Sequence, residues 1–385
     1  MSTLCPAPWE HHCINTNGKN RLCCNSKTSS TRFNDGFDDY WTNEVAAVRQ
    51  AMLENQQPSE CNSCWKKESA GIKSLRQQFI ENYKIRGDWD RFKKEVDIVE
   101  LPQELDLKLG NYCNLSCRMC SSFSSSSYAK EFKTIYKETG YDFGIDEHEK
   151  TYVQNKWYND TKFVDKVKTM IDNGLRQLKF TGGEPLMVPS VKTLIDYCIE
   201  SGNAKNIDIV LITNGTLITQ DWIDLLSKFN HVSFIFSVDG VGDVFEYIRH
   251  PAKWSQAISV FELLQTTNFY KSIAFTLQVY NVLDIKTILE TSRVYNFNID
   301  LIALDTPSYL DVVNIPDNLK AHALQMLDIN PANNNEYEFL NSCANKISTA
   351  TYNKDASSEL IKISKIKDRY KQQNIEKLEI WKYYE

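Results

Sequence analysis

The sequence predicts an α/β protein built on a parallel sheet, with a small cysteine-rich unit ahead of it and a helical tail behind. Two observations carry the prediction. Six short apolar runs, rich in β-branched and aromatic residues, lie at Glu104–Leu109, Leu178–Thr181, Ile207–Thr213, Val232–Val238, Ile273–Val279 and Ile299–Leu304. Runs of helical periodicity separate them, and right-handed crossovers then leave the strands parallel. A curled, open barrel and a flat doubly wound sheet both satisfy this alternation.

Composition sets the outer bounds. A chain of 385 residues, 42% hydrophobic and 12% aromatic, fills a substantial core. Its net charge of −6, without a long basic block, argues against a nucleic-acid partner. No basic-then-apolar leader and no apolar run of roughly 20 residues is present, so no membrane partner and a cytoplasmic location are expected. The 11 cysteines are an odd number and many for that compartment, which favours metal ligation over disulfides.

Residues 1–75 hold much of that sulfur: Cys5-Pro-Ala-Pro-Trp9, Gly18-x4-Cys23-Cys24, a helical run at Val45–Leu53, and Cys61-x2-Cys64. Four thiolates from Cys5, Cys23, Cys61 and Cys64 would close a metal site, with a turn at Gly18 steering the chain back. Cys13 reads as a buried free thiol, and His11, His12 and His148 as surface histidines. Residues 76–103, with Tyr83, Trp89 and Phe92, read as a helical linker that ends at Pro102.

The sheet unit spans 104–330. Its first strand runs into Cys113-Asn-Leu-Ser-Cys117-Arg-Met-Cys120, three thiols spaced C-x3-C-x2-C on a loop. No fourth Cys or His stands nearby to complete a zinc tetrahedron, whereas a four-iron cube on three thiolates keeps one iron open. Residues 121–160 form a long connection, a serine run followed by Lys and Tyr, which is either a solvated loop with a surface helix or a lid beside the cysteines. Phe163, Val167, Met170 and Ile171 share one helical face after an Asp160 cap; Val191, Leu194, Ile195, Cys198 and Ile199 share another after Pro189, which makes Cys198 a core residue.

The second strand ends in Thr181-Gly182-Gly183-Glu184-Pro185, the third in Thr213-Asn214-Gly215, and the fourth in Ser237-Val-Asp239-Gly240, with Arg249 twelve residues after Ser237. Paired glycines let a ligand approach the backbone, Glu184 can accept from an ammonium, and a guanidinium is the bidentate partner of a carboxylate. Gln278 and Asn281 at the fifth strand end are candidate ribose or adenine contacts, and Asp305 at the sixth is a candidate substrate contact. The Asn-rich run after Asn330 reads as a linker. The tail, 331–385, carries an amphipathic helix from Ser357 through Leu360, Ile361, Ile363 and Ile366.

The cysteine loop, Gly-Gly-Glu-Pro and the ordered strand-end motifs resemble the radical S-adenosylmethionine (radical SAM) superfamily, near the sulfatase-maturase-like proteins. That resemblance implies a (βα)6 partial TIM barrel. It also implies a 4Fe-4S cluster on Cys113, Cys117 and Cys120, and S-adenosylmethionine held by Gly182, Gly183, Glu184, Pro185, Asn214, Ser237, Arg249 and Gln278. Met119 stands where the family often has an aromatic ring. The C-x12-G-x4-C spacing followed by C-x2-C is similar to the twitch module, the shortened relative of SPASM, which implies an auxiliary 4Fe-4S cluster on Cys5, Cys23, Cys61 and Cys64. In the family this module usually follows the barrel; here it precedes it, and a structural zinc knuckle on the same four cysteines is the alternative. The resemblance implies a radical oxidoreductase or modifying enzyme and a one-electron donor such as flavodoxin or ferredoxin. A peptide or protein side chain is the favoured substrate and a small-molecule alcohol the other; a non-catalytic binding protein with structural zinc is the competing class.

Overall fold

The computed structural model describes residues 3–94, 100–141, 156–304 and 306–384. Among the described residues eight strands are present: β1 (His11–Ile14), β2 (Asn20–Arg21), β3 (Glu104–Lys108), β4 (Gln177–Thr181), β5 (Asp208–Thr213), β6 (His231–Ser237), β7 (Tyr270–Leu277) and β8 (Asn298–Ala303). Their order is β2-β1-β3-β4-β5-β6-β7-β8, with β2 and β8 at the two ends, so the sheet is not closed. β1, β3, β4 and β5 pair in parallel, as do β6, β7 and β8, and only β1 with β2 is antiparallel among the pairings described. The six strands expected from the sequence are β3 to β8, each shifted by no more than a few residues, and the chain is an α/β protein with an open parallel sheet.

Two compact units divide the chain. The first comprises 1–112, 153–211 and 224–232; the second comprises 113–152, 212–223 and 233–385.

In the first unit the cysteine-rich segment does something its composition did not disclose: it adds β1 and β2 to the edge of β3. Gly18, at φ +81°, turns the chain between them, and a Cβ there would lie 2.7 Å from the Trp157 ring. His11 and His12 therefore are not surface histidines. Both lie on β1, paired with β3 on one side, and both are buried. His11 faces Glu104 at 3.6 Å. The His12 ring sits among Phe33, Phe37, Tyr40 and Trp41, with ring centroids 5.1 to 6.2 Å away. A four-residue strand buried throughout carries no alternation, so neither histidine announced its burial. His148 lies outside the described residues. Helices Val45–Leu53, Thr161–Asp172 and Pro189–Glu200 form where periodicity placed them, with Asp160 accepting from the Lys162 amide and Cys198 in the core.

In the second unit the described connections after β6 and β7 are helical, and the chain ends in helices Asp317–Met326, Asn334–Ser348 and Lys354–Lys371. The Asn-rich run read as a linker becomes helix at Asn334, because the Asn333 side chain accepts from the Glu336 amide. No described helix is long and apolar enough to cross a membrane.

Candidate functional site at the cysteine loop

Cys113, Cys117 and Cys120 sit on an irregular loop in the second unit, and hydrogen bonds from two sides fix it. The backbone amides of Ser116 and Arg118 donate to the carbonyls of His250 and Ile248, at 2.8 and 2.9 Å. The serine run folds back onto the loop: the Ser125 hydroxyl donates to Leu115 O at 2.5 Å, Ser127 to Cys113 O at 2.8 Å, and Ser126 Oγ accepts from the Cys113 amide at 3.2 Å. Ser125 also caps helix Ser126–Thr139 by accepting from the Tyr128 amide at 3.0 Å. The surface helix expected in this connection is present at Ser126–Thr139, and the serines ahead of it clamp the cysteine loop to its N-terminus, which nothing in a polyserine string predicts. The later part of that connection, 142–155, lies outside the described residues.

The three thiols lie within electrostatic reach of one another. Burial pushes the Cys120 thiol well up, and charge on Cys117 or Cys113 would push it further. Burial raises Cys117 too, while the guanidinium of Arg249 pulls it back. Arg249 Nη1 stands 3.9 Å from Cys117 Sγ, and Asn214 Nδ2 stands 3.9 Å from Cys113 Sγ. Polar hydrogens aimed at sulfur are what a thiolate, and not a thiol in an apolar core, requires.

Each strand-end motif of this unit has a definite place. Asn214 donates to Asn114 Oδ1 at 2.9 Å and accepts from Thr216 N at 3.0 Å, while Gly215, at φ +78°, leaves no room for a Cβ against Phe236. Ser237 closes β6, half-buried, opposite Ala274. Arg249 is buried rather than a surface cation and pairs with buried Asp239 at 2.7 Å; Asp239 also accepts from the Thr276 amide at 2.7 Å. Gln278 lies just beyond β7, fully buried, and its Oε1 has no hydrogen-bond partner among the described residues; Asn281 accepts from the Gln278 amide at 2.8 Å. Asp305 lies outside the described residues. Asp284, which the sequence reading passed over, accepts from Val241 N at 2.6 Å and is pushed up to about 7 by burial. Its one cue was adjacency to the helix that starts at Ile285, which marks a cap as readily as a site.

Gly182, Gly183, Glu184 and Pro185 belong to the first unit. The amide of Gly183 donates to Gly110 O at 3.0 Å and that of Glu184 to Tyr112 O at 2.8 Å, so this turn is fastened to the residues that lead directly into Cys113. A Cβ on Gly183 would collide with the Tyr112 carbonyl oxygen, and one on Gly182, at φ +124°, would lie 2.8 Å from Gly110 O. The Glu184 side chain is fully buried and accepts from the Leu186 amide at 3.3 Å.

In the same unit Cys5, Cys23, Cys61 and Cys64 also interact. Burial raises Cys5 far above its ordinary value, and charge on Cys23, Cys61 or Cys64 would raise it further; Cys61 is pushed up to about 12 by burial, with Cys23 and Cys64 adding to it. Among the described residues, no three His, Cys, Asp or Glu side chains are grouped closely enough to hold a single metal ion.

The sequence model of the Radical SAM superfamily matches residues 107–292, which span the cysteine loop and every strand-end motif up to Asn281. Among curated proteins, the radical SAM cyclopropyl synthase TigE of Paramaledivibacter caminithermalis is 26% identical over 63% of this chain and 49% of its own length. The sporulation killing factor maturation protein SkfB of Bacillus subtilis is 22% identical over 49% of this chain and 39% of its own. The chain thus spans half or less of the length of these relatives. Streptococcus suis SuiB, solved bound to its precursor peptide SuiA, overlaps with a TM-score of 0.38 at 14% identity, over 94% of this chain and 69% of that one. Residues 107–292, just under half of the chain, thus match the Radical SAM superfamily.

Proposed function

We propose that this chain is a radical SAM enzyme that takes a hydrogen atom from a peptide or protein side chain and completes an oxidation or modification with the help of a second, auxiliary 4Fe-4S cluster. One observation supports it most: three thiols on one loop, Cys117 buried and Cys113 and Cys120 half-buried, where Arg249 and Asn214 direct N–H groups at the sulfur of Cys117 and Cys113. A donor set of three thiolates fits a four-iron cube with one open iron. When bound, that cluster supplies the electron that splits S-adenosylmethionine into methionine and a 5′-deoxyadenosyl radical.

The chain's own part is to bind and orient. Cys113, Cys117 and Cys120 hold the cluster. Gly182, Gly183 and Glu184, followed by Pro185, accept hydrogen bonds from the methionine ammonium. Arg249, with Ser237 and Asn214, takes the carboxylate end, and the unpartnered Gln278 Oε1 is an acceptor suited to the adenine amino group or a ribose hydroxyl. Asp305 is the proposed substrate-side residue. Cys5, Cys23, Cys61 and Cys64 hold the auxiliary cluster: a cube of four irons spreads its thiolates more widely than one zinc ion does, and their mutual electrostatic influence is that of neighbours. Residues 1–75 are the auxiliary module, 76–103 its connection, 104–330 the catalytic barrel and 331–385 the tail. A relative named for maturation of a killing factor favours a peptide or protein substrate. The electron comes from a flavodoxin or ferredoxin, and the setting is the cytoplasm.

The test is iron, sulfide and zinc content after anaerobic reconstitution, with 5′-deoxyadenosine as product, in the wild type and in Cys113→Ala/Cys117→Ala/Cys120→Ala. About eight irons falling to about four, with loss of 5′-deoxyadenosine, is the expected result. About four irons falling to none, with one zinc retained, would make the N-terminal cysteines structural. Absence of 5′-deoxyadenosine from the reduced wild type would end the enzymatic reading.

A further inference from the structure

Helix Lys354–Lys371 buries Leu360, Ile363, Ser364, Lys367, Asp368 and Lys371 along one face at helical spacing; Asp368 pairs with the Arg118 guanidinium, and the other two charges on the face are lysines. Both reach the cysteine loop within the second unit. Lys371 Nζ, its side chain 1% exposed, donates to Ser116 O at 2.7 Å, to Ser116 Oγ at 3.0 Å and to Glu131 Oε2 at 2.5 Å. Lys367 Nζ donates to Arg118 O at 3.2 Å. The two acceptors are the peptide carbonyls on either side of Cys117.

Burying an ammonium costs several kcal/mol unless charge or hydrogen bonds offset it. Burial lowers Lys367 to about 7 and lowers Lys371 as well, with Glu131 opposing the shift. A leucine or methionine at either position would pack the stripe without that cost, and a glutamine could reach a carbonyl. What a lysine adds is positive charge. Both charges stand directly behind the cysteine loop, held there by the carbonyls of Ser116 and Arg118.

We propose that Lys367 and Lys371 are positioning residues whose positive charge, when they are protonated, raises the reduction potential of the cluster on Cys113, Cys117 and Cys120, easing its reduction by the external donor. The inference rests on the assignment of those three cysteines. The step is one electron: the donor loses it, the cluster gains it, and no bond changes. Positive charge behind the loop stabilises the reduced, more negative cluster.

The experiment is a potentiometric titration of the reconstituted full chain, followed by the paramagnetic signal that changes when S-adenosylmethionine is added. Lys371→Met and Lys367→Met should hold wild-type iron, and each should give a reduced-to-oxidised ratio about tenfold lower at fixed poise, about 59 mV for a one-electron couple. Lys371→Arg should restore the ratio, and Glu131→Gln, which removes the neutralising carboxylate, should raise it. Iron-loaded Lys367→Met and Glu131→Gln proteins with unchanged ratios would overturn the proposal, even if Lys371→Met failed to hold its cluster. Persistence of the responsive signal in Cys113→Ala/Cys117→Ala/Cys120→Ala would instead overturn the cysteine assignment.

Discussion

The guanidinium of Arg249 stands 2.7 Å from the carboxylate of Asp239, both buried, while its other terminal nitrogen points at the sulfur of Cys117. Asp239 thereby decides where the Arg249 charge lies. Burial raises the Asp239 carboxyl, and Arg249 is the largest influence holding it down. Asp239→Asn would leave a buried guanidinium without its counter-charge, which costs about 3–5 kcal/mol. A loss of that size should appear in denaturant unfolding of the apo chain. Arg249→Lys keeps the charge but loses the planar fork, so S-adenosylmethionine should bind roughly tenfold more weakly in equilibrium dialysis while stability falls less than in Asp239→Asn. Equal stability losses in the two variants would contradict this division of roles.

The Gly182-Gly183 turn is a question of space. A Cβ at Gly183 meets backbone atoms of Asn111 and Tyr112, which cannot rotate away as a side chain can. Gly183→Ala should displace the segment leading into Cys113; on the proposed cysteine assignment, the measurable result is a lower iron content after reconstitution, with the iron proposed for Cys5, Cys23, Cys61 and Cys64 retained. Full iron loading with ordinary S-adenosylmethionine affinity would show that the turn accommodates a methyl group.

The sheet was legible because its strands announce themselves: β4, β5 and β6 each combine β-branched or aromatic residues with alternating burial and end in motifs rich in Gly, Asn or Asp. The strand-end residues were legible for the same reason, since position at the end of a parallel strand is a sequence property. The edge pair β1 and β2 was not, because four buried residues and two more leave no periodicity to read. Lys367 and Lys371 were written in the sequence all along as charges in register with Leu360 and Ile363, and the rule that charges face solvent concealed them. Ser125, Ser126 and Ser127 gave no cue, because a hydroxyl's partner is set by tertiary placement alone.

Ser125 holds two elements at once, capping helix Ser126–Thr139 and donating to Leu115 O. Loss of a serine cap costs about 1 kcal/mol, and an unsatisfied buried carbonyl adds a comparable amount. Ser125→Ala should therefore destabilise the chain by about 2 kcal/mol, whereas Ser124→Ala, at an exposed neighbour, should change little. Denaturant midpoints of the two variants measure the difference, and equal midpoints would remove Ser125 from the clamp.

His12 predicts how the first unit responds to acid. Burial among four aromatic rings lowers its pKa from 6.5 to about 3, only partly offset by the hydrogen bond to Asn20 Oδ1 at 3.1 Å. The folded pKa lies below the unfolded one, so between pH 6.5 and 3 the unfolded chain binds more protons at this site. Stability from His12 is therefore full above pH 6.5 and lost as pH falls towards 3. At pH 5 the loss is about 2 kcal/mol, from 1.36 kcal/mol for each unit of separation already crossed. His12→Gln cannot take up that proton and retains an amide to meet Asn20. It should be less stable than the wild type at pH 7.5, and the gap should narrow by about 2 kcal/mol at pH 5. A gap that stays constant between the two pH values would mean that His12 binds its proton equally well in the folded and unfolded chain, and burial would not be lowering its pKa.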